Sequence, residues 1–226
     1  MSEELAKPRN SERELKVTYF SSKLDYETAW RAMQDYTDKR DSLSDDRLWV
    51  LQHDPVFTQG QAGKSEHLLN TGDIPVVQVD RGGQVTYHGP GQLVIYVLFD
   101  IDRMGIGTRQ FVRLIEQAMV QALKDFGVDS KADPEAPGVY VDGRKIGSIG
   151  LRIRKGRSFH GLSVNLDMDQ SPWLRINPCG YQGLQMAQLR DYCPEVSITE
   201  FSNCLVDALS SLFCYRQTNI EVTDSL

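Results

Sequence analysis

A chain of 226 residues, 40% apolar and 25% charged, carries enough apolar surface to bury one substantial core, and its make-up excludes a fibre or a disordered polymer. The formal net charge of −6 repels nucleic acid at the level of the whole molecule. The longest apolar run, 93–99, has strand length and falls far short of the ~20 residues that a membrane span requires.

Residues 1–13 are polar and carry charges of both signs. They lack the apolar stretch of a secretory signal and the Arg-rich, acid-poor pattern of a transit peptide, so they read as a tail ahead of one domain, 14–226, in a cytoplasmic protein. Short or alternating apolar runs predict strands over 15–20, 48–52, 74–79 and 92–99. Further strands over 138–141, 145–153 and 159–165 are separated by Asp142-Gly143 and Lys155-Gly156, both tight-turn pairs, which makes this stretch a hairpin meander. Three helices interrupt the strands: about 25–40; a second carrying Phe111, Ile115, Ala118, Ala122 and Phe126 behind a Thr108 cap and ending at Gly127; and about 199–213. Helices and hairpins in this mixed order predict an α+β fold rather than a doubly wound parallel sheet.

Three segments carry chemistry. Arg81-Gly82-Gly83-Gln84-Val85-Thr86-Tyr87-His88-Gly89-Pro90-Gly91-Gln92 has glycines that let a ligand approach the backbone, and it matches neither a dinucleotide nor a Walker loop. Taken alone, a structural loop with a buried His88 explains it equally well. In Gly143-Arg144-Lys145-Ile146-Gly147-Ser148-Ile149-Gly150, Lys145 lies among apolar and glycine neighbours, where a partly desolvated amine suits proton transfer; an ordinary strand lysine is the plainer reading. Cys179 sits between Pro178 and Gly180 in a loop that presents its thiol. Cys193, Cys204 and Cys214 lack such a setting, and the four cysteines form no CxxC pair and have no histidine at zinc-ligand spacing, so they read as reduced thiols. His53 and His67 are read as structural.

RGGQVTYHGPGQ, GRKIGSIG, FHGLSVNL and NPCG, in that order, resemble the octanoyltransferases of lipoate biosynthesis over roughly 48–189. The resemblance implies the biotin/lipoate protein ligase catalytic fold, with mixed sheets and packed helices, and neither cofactor nor metal. It assigns Cys179 as the acyl-thioester nucleophile and Lys145 as its assistant. Substrate contacts fall to Arg81, Gly82, Gly83, Gln84, Val85, Thr86, Tyr87 and His88, to Ser148, Ile149 and Gly150, and to Gly161, Leu162 and Ser163. The donor it implies is octanoyl-acyl carrier protein. The acceptors are lysines of the lipoyl domains of 2-oxoacid dehydrogenases and of the glycine cleavage H protein, and a monomer is expected. Arg144, Lys145, Arg152, Arg154, Lys155 and Arg157 form a basic patch that either steers such acidic partners or is a solvated hairpin tip. Two alternatives stay open: an ATP-dependent lipoate or biotin ligase, although no GRGRxGR-type loop is present, and a non-catalytic scaffold that binds carrier domains.

Overall fold

A computed structural model describes residues 13–226, apart from the side chains at 216–218. The expected tail therefore lies outside the described residues except for Arg13, which opens the first strand. The elements are β1 (Arg13–Phe20), α1 (Tyr26–Lys39), β2 (Asp46–Leu51), β3 (Val56–Gln59), β4 (Val76–Gln78), β5 (Val85–His88), β6 (Gln92–Leu98), α2 (Ile101–Met104), α3 (Thr108–Asp125), β7 (Lys131–Ala132), β8 (Gly138–Val141), β9 (Arg144–Arg154), β10 (Arg157–Asn165), α4 (Ile198–Leu212) and β11 (Tyr215–Thr223). Eight strands form a mixed sheet in the order β11-β1-β2-β6-β10-β9-β8-β7, and β4-β3-β5 form a smaller one. The α+β expectation holds.

Strand β6 shows why its sequence is apolar at every position. Leu93, Ile95 and Val97 face the core built with α3 and α4, while Val94, Tyr96 and Leu98 face the one built with α1. Helix α1 presents Ala29 and Met33 to that second core, and Asp25 caps it by accepting a hydrogen bond from Thr28 N at 2.9 Å. Helix α4 opens with a capping box between Ser197 and Glu200. The meander is present as expected, and both of its turns take positive φ: Asp142 (50°) with Gly143 (76°), and Lys155 (50°) with Gly156 (71°).

Two expectations need correction. Thr108 does not cap α3; extended Gly107 occupies that position and Thr108 is already helical. The strand expected over 74–79 is confined to Val76–Gln78. The segment after Phe213, for which no element was predicted, forms β11, parallel to β1 at the sheet edge. Ile220 and Val222 are exposed there, so no buried stripe marks the strand in sequence.

One carboxylate ties the periphery together. Asp46 Oδ1 accepts from Arg40 Nη2 (2.7 Å), Arg103 Nη2 (2.8 Å) and Asp100 N (2.8 Å), while Oδ2 accepts from Tyr215 OH (2.7 Å). The side chains of Arg40 and Asp46 are 0% and 1% exposed. Asp46→Ala leaves a buried guanidinium without its counter-ion and should cost about 3–5 kcal/mol in urea unfolding.

His53 joins the start of α1 to β6. Nδ1 donates to Leu24 O (2.7 Å), so Nε2 accepts from Tyr96 OH (2.6 Å). Burial lowers its pKa from 6.5 to about 4. The unfolded chain therefore binds a proton that the folded chain refuses. Stability at this site is fully present above about pH 6.5 and declines as pH falls towards about 4. Urea midpoints should fall across that window, and His53→Gln should flatten the decline.

Candidate active site

A cavity of about 530 Å³ opens between the inner half of the large sheet, β5 and the turn that holds Cys179. Its floor is low for a reason visible in the register. Gly161 pairs with Gly150 and Ser163 with Ser148 across β9 and β10, and these small residues all line the cavity. A Cβ on Gly150 would come within 3.0 Å of Arg81 Cδ.

Cys179 stands in the single turn Pro178–Gly180 with φ 57° and ψ 14°, a left-handed conformation that is uncommon for a residue with a side chain. Gly180 N donates to Asn177 O and Tyr181 N to Pro178 O, and Asn177 N donates to His67 O, so the turn is closed on itself and tied to its neighbour. Lys145 reaches the thiol from β9. It is 2% exposed, and its Nζ donates to Pro137 O (2.9 Å) and contacts Cys179 Sγ at 3.4 Å. The ammonium also lies 5.3 Å from the centre of the Tyr140 ring.

Gly138 makes this path possible. A Cβ there would approach Lys145 Cε to 2.7 Å and Nζ to 3.0 Å, and its φ of 137° disfavours any side chain. The peptide joining Pro137 to Gly138 is held at both ends. Its carbonyl accepts from Lys145, and its N–H donates to Glu116 Oε1 at 3.1 Å. Burial raises the Glu116 pKa, opposed by that N–H and by Arg113 and Lys145.

Opposite the pair lies Arg81, fully enclosed. Its guanidinium donates to Thr58 O (2.7 Å), Thr58 Oγ1 (2.9 Å), Gln84 O (2.8 Å) and Gly82 O (2.9 Å), all neutral acceptors. Burial pulls its pKa below the usual value, partly countered by Tyr26 and Cys179. A buried cation satisfied only by neutral groups still attracts a nearby negative charge. His88 Nδ1 donates to Gln92 Oε1 (2.7 Å), and burial, with His53 and Arg81, drives its pKa down to about 3, so the ring is neutral.

Of the residues singled out in sequence, Cys179 and Lys145 meet. Arg81, Gly82, Gly83, Gln84, Val85, Thr86 and His88 line the cavity with Ser148, Ile149, Gly150, Gly161, Leu162 and Ser163. Tyr87 does not. Its ring packs between Phe57 (5.4 Å) and Trp173 (5.6 Å), on the opposite face of β5. The basic patch is also weaker than its sequence suggests. Arg154 pairs with Asp38 (2.8 Å), Arg157 with Asp100 (3.6 Å), and Arg144 bonds Tyr192 OH (2.7 Å). Sequence reading missed Glu116 and Gly138, which serve the carbonyl and the path of Lys145, and Tyr26 and Tyr96, which line the cavity. The one sequence signal was Glu116, an acid beside the apolar stripe of α3.

The lipoyl protein ligase A/B catalytic domain family matches residues 25–210. An octanoyltransferase of Shewanella sediminis is 59% identical over 206 residues, 91% of this chain and 94% of the relative. The fold is similar to that of a lipoate-protein ligase A solved with ATP (TM-score 0.76, 16% identity, 95% and 90% of the two chains). It is similar too to that of the bipartite lipoate protein ligase solved with its E2 lipoyl domain from Thermoplasma acidophilum (0.73, 17%, 95% and 88%). Sequence identity across nine-tenths of the chain, with the fold to match, makes this chain an acyltransferase that belongs to the octanoyltransferases of the lipoyl protein ligase A/B catalytic family.

Proposed function

We propose that the protein takes an octanoyl group from octanoyl-acyl carrier protein, holds it as a thioester on Cys179 and delivers it to a lysine of a lipoyl domain. The observation that carries this reading is the contact between Lys145 Nζ and Cys179 Sγ, 3.4 Å apart at the wall of the cavity. An ordinary thiol, with a pKa of about 8.5, is only a few per cent thiolate at neutral pH, so a neighbouring ammonium that stabilises the thiolate raises the reactive fraction. The thiolate attacks the donor carbonyl, and the C–S bond to the carrier breaks. The departing sulfur takes the proton held by Lys145. Thioester-to-amide transfer is downhill, so the second half needs no ATP.

The oxyanion that forms at each attack carries a full negative charge. Arg81 supplies positive charge to the same cavity, fixed before the reaction begins, which is the arrangement that stabilises such a charge most effectively. Val94, Ile149 and Leu162 give the acyl tail an apolar wall, and each methylene buried there is worth about 0.8 kcal/mol. A lipoyl-domain acceptor is supported by the names of the related octanoyltransferase and of the ligase solved with its lipoyl domain. The rival ligase reading has no use for a thiol beside a buried lysine.

Incubation with octanoyl-acyl carrier protein, without ATP or acceptor, should add one octanoyl mass to the wild type, labile to hydroxylamine. Cys179→Ala should add none. An adduct that persists in Cys179→Ala, or transfer that requires ATP and free octanoate, would overturn the reading.

A further inference from the structure

The cations of the β9–β10 hairpin differ in how they are matched. Arg154 pairs with Asp38, Arg157 with Asp100, and Arg144 bonds the Tyr192 hydroxyl with Asp191 at 3.9 Å, and none of the three lines the cavity. Lys155 lies exposed in the turn, also outside the cavity wall. Arg152 is unlike all four. It lines the cavity that holds Cys179, and its Nη1 donates to a neutral group, Gln61 Oε1, at 2.8 Å. Among the described residues it pairs with no carboxylate. Its Nη2 donates to no protein acceptor there and, unlike the buried Nε, is reached by solvent.

The strand explains where this charge stands. Alternation places Ser148, Gly150, Arg152 and Arg154 on one face of β9. Ser148 and Gly150 line the cavity and Arg154 reaches Asp38 of α1, so Arg152 stands between them at the rim. Lys145, whose Nζ contacts the thiol, is seven residues back along the strand, about 23 Å between Cα positions at about 3.3 Å per residue. Gln61 also lines the cavity, and its N–H donates to Arg81 O at 2.9 Å, which ties the guanidinium's partner to the segment across from β9. With Oε1 engaged by Arg152, the amide of Gln61 keeps its own N–H donors for a ligand.

Resting on the function proposed above, we infer that Arg152, with Gln61, binds the phosphate ester of the donor's arm and thereby selects phosphorylated acyl thioesters over those of simple thiols. An acyl carrier protein presents its acyl group on a phosphopantetheine arm, a flexible chain with the thioester at one end and a phosphodiester at the other. A carbonyl placed at Cys179 leaves that phosphodiester far from the sulfur, so the cation that reads it belongs at the rim and not beside the reacting pair. A guanidinium suits the task because its planar fork matches phosphate oxygens with paired N–H donors. The other two cations of the cavity wall are engaged elsewhere. Lys145 holds Pro137 O and the thiol, and Arg81 donates to Thr58, Gly82 and Gln84.

The test uses two probes that differ only in the phosphate. S-octyl phosphopantetheine and S-octyl pantetheine are thioethers with no carbonyl to attack, so calorimetry reads binding without catalysis. Near neutral pH and at low salt, the wild type is expected to bind the phosphorylated probe at least about 10-fold more tightly, a preference that shrinks as salt rises. In Arg152→Gln the two probes should bind within about 2-fold of each other, the loss falling on the phosphorylated one, and Arg152→Lys should retain part of the preference. A wild type without the preference, a preference that survives in Arg152→Gln, or equal weakening of both probes overturns the assignment. So does a variant that binds both probes as the wild type does yet is acylated more slowly by octanoyl-acyl carrier protein, which would put Arg152 against the carrier's own surface. A wild type whose Cys179 is never acylated by octanoyl-acyl carrier protein removes the function proposed above, while the two probes still decide what Arg152 binds.

Discussion

Burying a lysine ammonium beside a thiol is the constraint around which this site is organised. Stripping water from an isolated ammonium costs far more than a single surface ion pair returns, so the charge must find its partners locally. Pro137 O, the Tyr140 ring and Cys179 Sγ supply them. Each depends on something further out. The carbonyl is aimed because Glu116 holds the N–H of the same peptide, and the side chain passes because Gly138 has no Cβ. The strand itself is fixed on its free side, where Lys145 N donates to Gln185 O and Ala187 N donates to Lys145 O. Helix α3, the short strand β8 and the loop after β10 thus converge on one nitrogen.

The rest of the cavity follows the same logic of burial without neutralisation. Arg81 is buried with carbonyls and a hydroxyl for partners and His88 is held neutral, and both line a space of about 530 Å³. Burial of Arg81, His88 and Lys145 strengthens their electrostatics, because each is largely withdrawn from solvent. The fold serves this by placing one sheet face, made shallow by Gly150 and Gly161, under a second small sheet whose middle strand anchors Arg81 through Thr58. The fold is shared with the ATP-bound ligase, so it is the cysteine set at φ 57° next to a lysine, rather than the scaffold, that bears on the chemistry here.

Much of this was legible before any coordinates. The stripes of α1, α3 and α4 follow from period because each helix buries one face, and the meander follows from its two tight turns. The pairing of Lys145 with Cys179 was legible only through the resemblance; spacing alone left each a weak candidate. The ring of Tyr87 faces away from the cavity that Thr86 and His88 line, as alternation in β5 dictates, a distinction that a glycine-rich segment obscures. The role of Gly138 was invisible, and that of Glu116 only hinted at, because both exist only through contacts made in the fold, and Asp38 neutralises Arg154 from 116 residues away. Strand β11 escaped because its apolar side chains at 220 and 222 face outward.

The most direct measurement is the rate at which each cysteine is alkylated at pH 7, followed peptide by peptide in the wild type and in Lys145→Met. Cys193, Cys204 and Cys214 serve as internal references, since all four thiols are free and partly exposed in the same chain. Cys179 is expected to react at least about 10-fold faster than the other three, and to lose that advantage in Lys145→Met while the references stay unchanged. A Cys179 that reacts no faster than the references, or that keeps its rate without Lys145, would contradict the role given to the buried lysine.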